Sequence, residues 1–417
     1  MYKRKRGQKV KQTTRIIAIA GTKGKTTCVR ALHYAINAVH DEAVLGVDTH
    51  RIMLGGDPLM SKEDFTDLFG LGTAVAPGKA LLALRGQKKP IAVLEASVGV
   101  HDKGLAYFSH EIGIFTNVFD DHIKQEGKIT SRRELANAKA SFILHKIAAS
   151  GTAIYNADND MIAEQLCQIP SDDVIRVACT LGKSRDFEAD YIATIQDNKI
   201  VILSDGRESM SVDIETMPWL YQGKHQPSLY NGMFILSALW RFYKDEPAQL
   251  QRAINALTGY IPDPNGARMV IREAANGTKV IIDFAHERES LKQIAEFARN
   301  SIPADGRVIG VLRMNNARGD DHIKRSADYF VGFYDKLFIY DMASKDGDKG
   351  RKVGDVPNII AESARANNVP VEVITDHREA LNAARQEALE GDAVVYIVHN
   401  HLNALAVVDD IFHVKGA

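Results

Sequence analysis

The loop Gly21-Thr22-Lys23-Gly24-Lys25-Thr26-Thr27 gathers the residue types that handle phosphate. Small residues let backbone N–H groups approach phosphate oxygens, Lys25 adds a cation, and Thr26 offers a hydroxyl to magnesium. General P-loop spacing would put its first glycine at position 19, where Ile19 stands, so the pattern is met only in part and a ligand-free Gly/Thr turn is the alternative. Glu95 closes the apolar run Ile91 to Leu94, where an α/β sheet presents ligand-binding groups at the carboxyl ends of its strands. A carboxylate there suits Mg²⁺, although an acid after a strand, taken alone, is more often a helix cap or a solvated loop residue. His122 ends Thr116-Asn-Val-Phe-Asp-Asp-His122, and an isolated histidine is more often structural than a ligand. His399 and His401 would share one face of a strand, but with no third ligand in view the pair is not assigned to a metal.

These groups need elements to position them. Arg15 to Ala20 reads as a buried strand leading into the loop, and Cys28 to Val39 as the helix leaving it. Further strands are expected at Ile91 to Leu94, Ile112 to Phe115, Ala153 to Tyr155, Val174 to Val177 and Ile200 to Leu203, with an amphipathic helix from Ser131 to Ala149. Alternation of this kind implies a mostly parallel sheet covered by helices. The Pro-, Gly- and Asn-rich segment Gly259 to Gly266 marks a junction, dividing residues 1–262 from 263–417. Beyond it, strands at Lys279 to Asp283, Val308 to Leu312, Lys336 to Tyr340, Val371 to Ile374 and Ala393 to Val398 are expected. Helices near Glu289 to Ser301, Ile323 to Gly332, Val356 to Asn367 and Arg378 to Glu390 alternate with them, as in a smaller doubly wound α/β domain.

The 52 Lys and Arg balance 53 Asp and Glu, which gives no support to nucleic acid as a partner. The basic run Lys3 to Lys11 reads as a solvated terminus. No apolar stretch approaches the roughly 20 residues that span a bilayer, so no membrane partner is expected and the cytoplasm is the expected compartment. Cys28, Cys167 and Cys179 lack disulfide or zinc spacing.

In this order the motifs resemble the Mur ligase superfamily, which includes the muramyl-peptide ligases, folylpolyglutamate synthetase and the C-terminal half of cyanophycin synthetase. The loop is similar to that family's Gly-Thr-Asn-Gly-Lys-Thr-Thr, with Lys23 in place of Asn. Asn156-Ala-Asp-Asn-Asp160, Gly266-Ala-Arg268, Asp283-Phe-Ala-His286 and Asn316-Ala-Arg318-Gly-Asp320 resemble further family motifs along nearly the whole chain. Val47-Asp48-Thr49 with Gly55-Gly56, and Leu94 to Ser97 through Gly104-Leu105-Ala106, look most like the cyanophycin synthetase half.

The resemblance implies a P-loop central domain followed by a C-terminal domain, with ATP and Mg²⁺ as cofactors. It implies that Gly21 to Thr27, Asn231, Arg268 and Asp283 bind the nucleotide, and that Thr26, Glu95 and His122 bind metal. Lys25, Lys139, His122 and Arg318 would be catalytic. Lys139 stands where several relatives carry a CO₂-derived carbamate, and an unmodified lysine on a solvated helix face is the alternative. There are departures. The family's Asn-Pro after Asp-Tyr-Ala-His is Glu287-Arg288, its Gly-Asp-Arg has become Asn-Ala-Arg, and His225 with Asn231 fits the adenine-side segment only with two extra residues.

The implied reaction is ATP-dependent amide formation through an acyl phosphate, followed by amine attack. The resemblance also implies that the second domain closes on the first, with Gly259 to Gly266 as hinge. The expected partners are an acidic peptide or polymer and an amino acid, on the precedent of cyanophycin synthesis. Poly-γ-glutamate or folylpolyglutamate ligation, or an ATP-binding partner protein that has lost ligation, are the alternatives. Homo-oligomerisation is left open.

Overall fold

Apart from Arg15, every residue of Arg15–Ala20 (β1) is apolar and buried, and such a strand belongs in the middle of a parallel sheet. The computed structural model, which describes residues 14–119, 129–166, 169, 173–182, 188–262, 268–342, 350–398 and 403–414, puts it there. β1 lies between Ile91–Glu95 (β5) and His110–Phe115 (β6), parallel to both. The chain separates into two compact units, Met1–Gly223 with Pro227–Tyr260, and Lys224–Gln226 with Ile261–Ala417.

In the first unit Lys25–Asn37 (α1) follows β1, then come Leu45–Val47 (β2), Arg51–Leu54 (β3), Asp57–Ser61 (β4) and Lys62–Phe69 (α2). Val100–Lys103 (α3) lies between β5 and β6; Arg132–Ile143 (α4), Ile147–Asn156 (β7), Asp160–Ala163 (α5) and Ile175–Cys179 (β8) come after. Tyr191–Gln196 (β9), Lys199–Ser204 (β10) and Arg207–Asp213 (β11) precede Gln226–Phe242 (α6) and Pro247–Thr258 (α7). The described strands form one sheet in the order β11-β10-β9-β8-β7-β6-β1-β5-β2-β3-β4. It is parallel from β9 to β2 and antiparallel in the hairpins at either edge. Residues of α1, α6 and α7 build a core with β1, and residues of α4 and α5 build a second core. Each fully buried Ile or Val in these layers contributes about 1.5–3 kcal/mol.

In the first unit two helices differ from the sequence expectation. α1 starts at Lys25 rather than Cys28, because Gly24 (φ 83°) makes the turn and lets Lys25 to Thr27 adopt helical geometry. α4 ends at Ile143 rather than Ala149, since Ile147 is already paired with His110 of β6.

The second unit contains Val270–Glu273 (β12), Lys279–Asp283 (β13), Arg288–Asn300 (α8), Val308–Leu312 (β14), Asp320–Phe330 (α9) and Lys336–Ile339 (β15). Asp355–Ala366 (α10), Val371–Val373 (β16), His377–Glu387 (α11), Ala393–Ile397 (β17) and Ala404–Phe412 (α12) complete it. Its strand order is β12-β13-β17-β14-β15-β16, parallel except for β12. Among the described residues no helix is long and apolar enough to cross a membrane.

Candidate active site

The loop between β1 and α1 is shaped by close backbone approach. A Cβ on Gly21 (φ 146°) would come within 2.0 Å of Thr116 Oγ1, and one on Gly24 within 2.4 Å of Asn231 Oδ1. Gly24 also leaves α1 without a side-chain cap, and the first turn carries no acid. Its first N–H groups and the positive end of the helix dipole therefore suit an anion.

Residues at the end of β6 hold this loop from the side. Thr22 N–H donates to Asn117 O at 2.8 Å, Lys23 N–H to Asn117 Oδ1 at 2.8 Å, and Thr116 Oγ1 to Lys23 O at 2.6 Å. No role for Thr116 or Asn117 follows from the sequence motif alone. Their signal was the one used for Glu95: polar residues directly after an apolar strand.

Glu95 is 1 % exposed at the end of β5. Thr26 Oγ1 donates to its Oε2 at 2.9 Å, and Lys25 Nζ lies 3.8 Å from its Oε1. Lys25 Nζ also donates to Thr22 O at 3.0 Å. The hydroxyl and carboxylate form an all-oxygen donor pair, the chemistry Mg²⁺ prefers when phosphate oxygens and water complete its shell. Among the described residues no group of three or more His, Cys, Asp or Glu is placed to hold a metal. The donor pair and the anion-suited loop fit a magnesium–nucleotide complex jointly.

Lys139 stands on α4, whose start is fixed by the Ser131 side chain accepting from Glu134 N–H. It is 3 % exposed, so the solvated-face alternative is not what the structure shows. Its Nζ donates to Thr22 Oγ1 at 3.2 Å. On α6, Asn231 abuts Gly24 and accepts a contact from Cys28 Sγ at 3.6 Å. Burial, with Glu95 adding to it, raises the Cys28 thiol pKa well above its usual range, so it stays protonated.

The structure thus brings Gly21, Thr22, Lys23, Gly24, Lys25, Thr26, Thr27, Glu95, Lys139 and Asn231 together within the first unit. His122, Gly266, His399 and His401 lie outside the described residues. Arg268, Asp283 and Arg318 belong to the second unit. There Asp283 Oδ2 accepts from Met269 N–H at 2.8 Å, which fixes the backbone next to Arg268. Arg351, which no sequence motif marks, donates to Asn316 O at 3.0 Å, Arg318 O at 2.6 Å and Asp320 Oδ1 at 2.6 Å, closing the turn that carries Arg318.

Residues 19–228 match the Mur ligase middle domain and residues 267–397 the Mur ligase glutamate ligase domain. The chain belongs to the Mur ligase family. Among curated relatives, the cyanophycin synthetase of Geminocystis herdmanii is 24% identical over 406 residues, covering 94% of this chain and 43% of the relative. The chain thus spans less than half the length of that relative. The UDP-N-acetylmuramyl-tripeptide synthetase of Ligilactobacillus salivarius is 25% identical over 412 residues, covering 91% of this chain and 72% of the relative. Among solved structures, a pseudomurein peptide ligase type C from Methanothermus fervidus superimposes with a TM-score of 0.64 at 18% identity, covering 97% of this chain and 80% of that one. The expected Mur-ligase-like fold is therefore present: a large, mostly parallel sheet followed by a smaller α/β domain.

Proposed function

We propose that this Mur ligase-family chain is an ATP-dependent, ADP-forming carboxylate–amine ligase. The observation that carries the reading is the convergence of the Gly21–Thr27 loop, the Thr26 hydroxyl, the Glu95 carboxylate and the Lys139 ammonium in one buried cluster. Loop N–H groups and Lys25 would hold the β- and γ-phosphates. Thr26 and Glu95 would hold magnesium, with His122 as a further ligand by resemblance. Magnesium, when bound, supplies a divalent charge that offsets the negative charge of the transferring phosphoryl group.

The substrate carboxylate attacks the γ-phosphorus, the bond to the β-phosphate oxygen breaks, and ADP leaves. The amine then attacks the acyl carbon, loses a proton and expels phosphate, giving the amide. Asn231, Arg268 and Asp283 are proposed as nucleotide-side residues, and Arg318 as a catalytic one.

For substrates we propose an acidic peptide or polymer as acceptor and an amino acid as amine, in line with the similarity to cyanophycin synthetases. Poly-γ-glutamate or folylpolyglutamate ligation uses the same chemistry. An ATP-binding protein without ligation is the contrasting reading, favoured by the altered Glu287-Arg288 and Asn316-Ala317-Arg318 segments. A screen of amino acids and acidic peptides for ADP formation, with mass spectrometry of products, tests the proposal. ADP release that requires both a carboxylate and an amine is the expected result. Nucleotide binding without turnover across the screen would point to the contrasting reading.

A further inference from the structure

The loop after β2 carries a side chain that the proposed chemistry does not use. Thr49 lies two residues past β2, the strand beside β5, and so reaches the same carboxyl-end edge as Glu95. Its Oγ1 donates to Glu95 Oε1 at 2.6 Å and its backbone N–H donates to Glu95 Oε2 at 3.3 Å. One residue therefore grips both oxygens of the carboxylate and fixes its plane.

An ionised carboxylate offers about four lone-pair sites. On Oε2, two are used by Thr26 Oγ1 and Thr49 N–H; on Oε1, one is used by Thr49 Oγ1. The remaining Oε1 site is left beside the Lys25 ammonium, at 3.8 Å. A carboxylate saturated in this way has one oxygen site to offer a cation.

The loop that supplies the grip is itself anchored to the phosphate-loop helix. Asp48, 2 % exposed, accepts from His50 N–H at 2.7 Å and Arg51 N–H at 3.2 Å. Its other oxygen accepts from Arg30 Nε at 2.7 Å. Arg30 is four residues after Thr26 on α1, hence on the same helix face, so Thr26, Thr49 and Glu95 are referred to one rigid element.

We propose that Thr49 is a positioning residue that fixes the plane of the Glu95 carboxylate, with one Oε1 site left for a cation, and thereby favours Mg²⁺ over Ca²⁺. The inference rests on the metal–nucleotide reading of the site. Mg²⁺ demands near-octahedral geometry at about 2.0–2.1 Å and few protein ligands, whereas Ca²⁺ accepts two-oxygen carboxylates and looser geometry. Without the Thr49 hydroxyl, Glu95 is held only through Oε2 and its plane loosens, which costs the stricter ion more.

The test is calorimetric titration of ATP into wild type, Thr49→Val and Thr49→Ser, with Mg²⁺, with Ca²⁺ and with no divalent ion. Valine keeps the shape and backbone N–H but removes the hydroxyl; serine keeps the hydroxyl. In Thr49→Val the Mg²⁺-supported affinity is expected to fall about 10- to 100-fold, the range for residues that orient metal ligands. The Ca²⁺-supported affinity should fall less, metal-free binding should be unchanged, and serine should restore most of the Mg²⁺ preference. An unchanged Mg²⁺-to-Ca²⁺ ratio in Thr49→Val overturns the inference, as does a serine variant that behaves like valine. Absence of metal-supported ATP binding in the wild type overturns the functional reading itself and this inference with it.

Discussion

Lys25 and Lys139 both reach Thr22, yet their predicted consequences differ. Lys25 is a loop side chain with a carbonyl and a carboxylate as neighbours. Lys25→Ala should leave the fold intact and lower ligase turnover about 10²- to 10³-fold, the scale for losing one donor aimed at developing charge. Near wild-type ADP release would mean the phosphate site is elsewhere. Lys139 is buried against Thr22, off the solvated face. If it carries a carbamate, Lys139→Ala should lose turnover and recover part of it when acetate fills the vacated space. An alanine variant fully active without added acid would rule that role out. Some departures from the family pattern have local reasons. Glu287, standing where the resemblance has Asn, caps α8 by accepting from Glu289 and Ser290 N–H groups at 2.9 Å each.

At the scale of elements, the loop geometry makes a prediction that separates backbone strain from crowding. Gly70 ends α2 with φ 66° and has nothing within 4 Å of where a Cβ would stand, whereas Gly24 combines φ 83° with the 2.4 Å approach to Asn231. Gly70→Ala should cost about 1 kcal/mol from the left-handed backbone alone. Gly24→Ala should cost more in thermal unfolding and should also abolish ATP binding. Equal losses in the two variants would show that the Asn231 contact relaxes freely. Most of the parallel strands were legible because runs such as Ile91 to Leu94 are apolar at every position, which only burial on both faces explains, whereas the three-residue β2 and the half-buried β9 were not. β3, β4 and β11 were not, since they form hairpins at the two ends of the sheet, are mostly half-buried or exposed, and carry no apolar run as long as Ile91 to Leu94. The end of α4 was misread because Ile143, Leu144 and Ile147 keep helical spacing while the chain has already turned into β7. Within the site, Glu95 could be placed from its strand, but Thr49 could not, because its partner is 46 residues away.

Across the whole molecule, buried histidines give folding a pH dependence with a definite sign. His110, 1 % exposed at the start of β6, faces Ile143 O through Nε2 at 2.8 Å and the Tyr107 hydroxyl through Nδ1 at 3.4 Å. Burial lowers its pKa to about 4, and burial lowers that of His225 to about 3. His33, which contacts Val44 O, is shifted in the same direction by burial. In the unfolded chain each imidazole takes up a proton near pH 6.5. Below that pH the unfolded state binds more protons than the folded one, so stability is full above about 6.5 and falls as the pH drops toward 4. The depressed carboxyl of Asp158, bonded to Tyr230, Thr180 and the Leu181 N–H, extends the loss in the same direction below its unfolded value of 3.8. For His110 alone the linkage amounts to about 2 kcal/mol at pH 5. Thermal unfolding followed at pH 7.5, 6 and 5 should show a midpoint that is level at first and then declines. His110→Gln keeps a donor for Ile143 O and cannot titrate, so it should start less stable at pH 7.5 and decline less steeply. A variant that declines as steeply as the wild type would show that His110 takes up its proton without leaving the folded state.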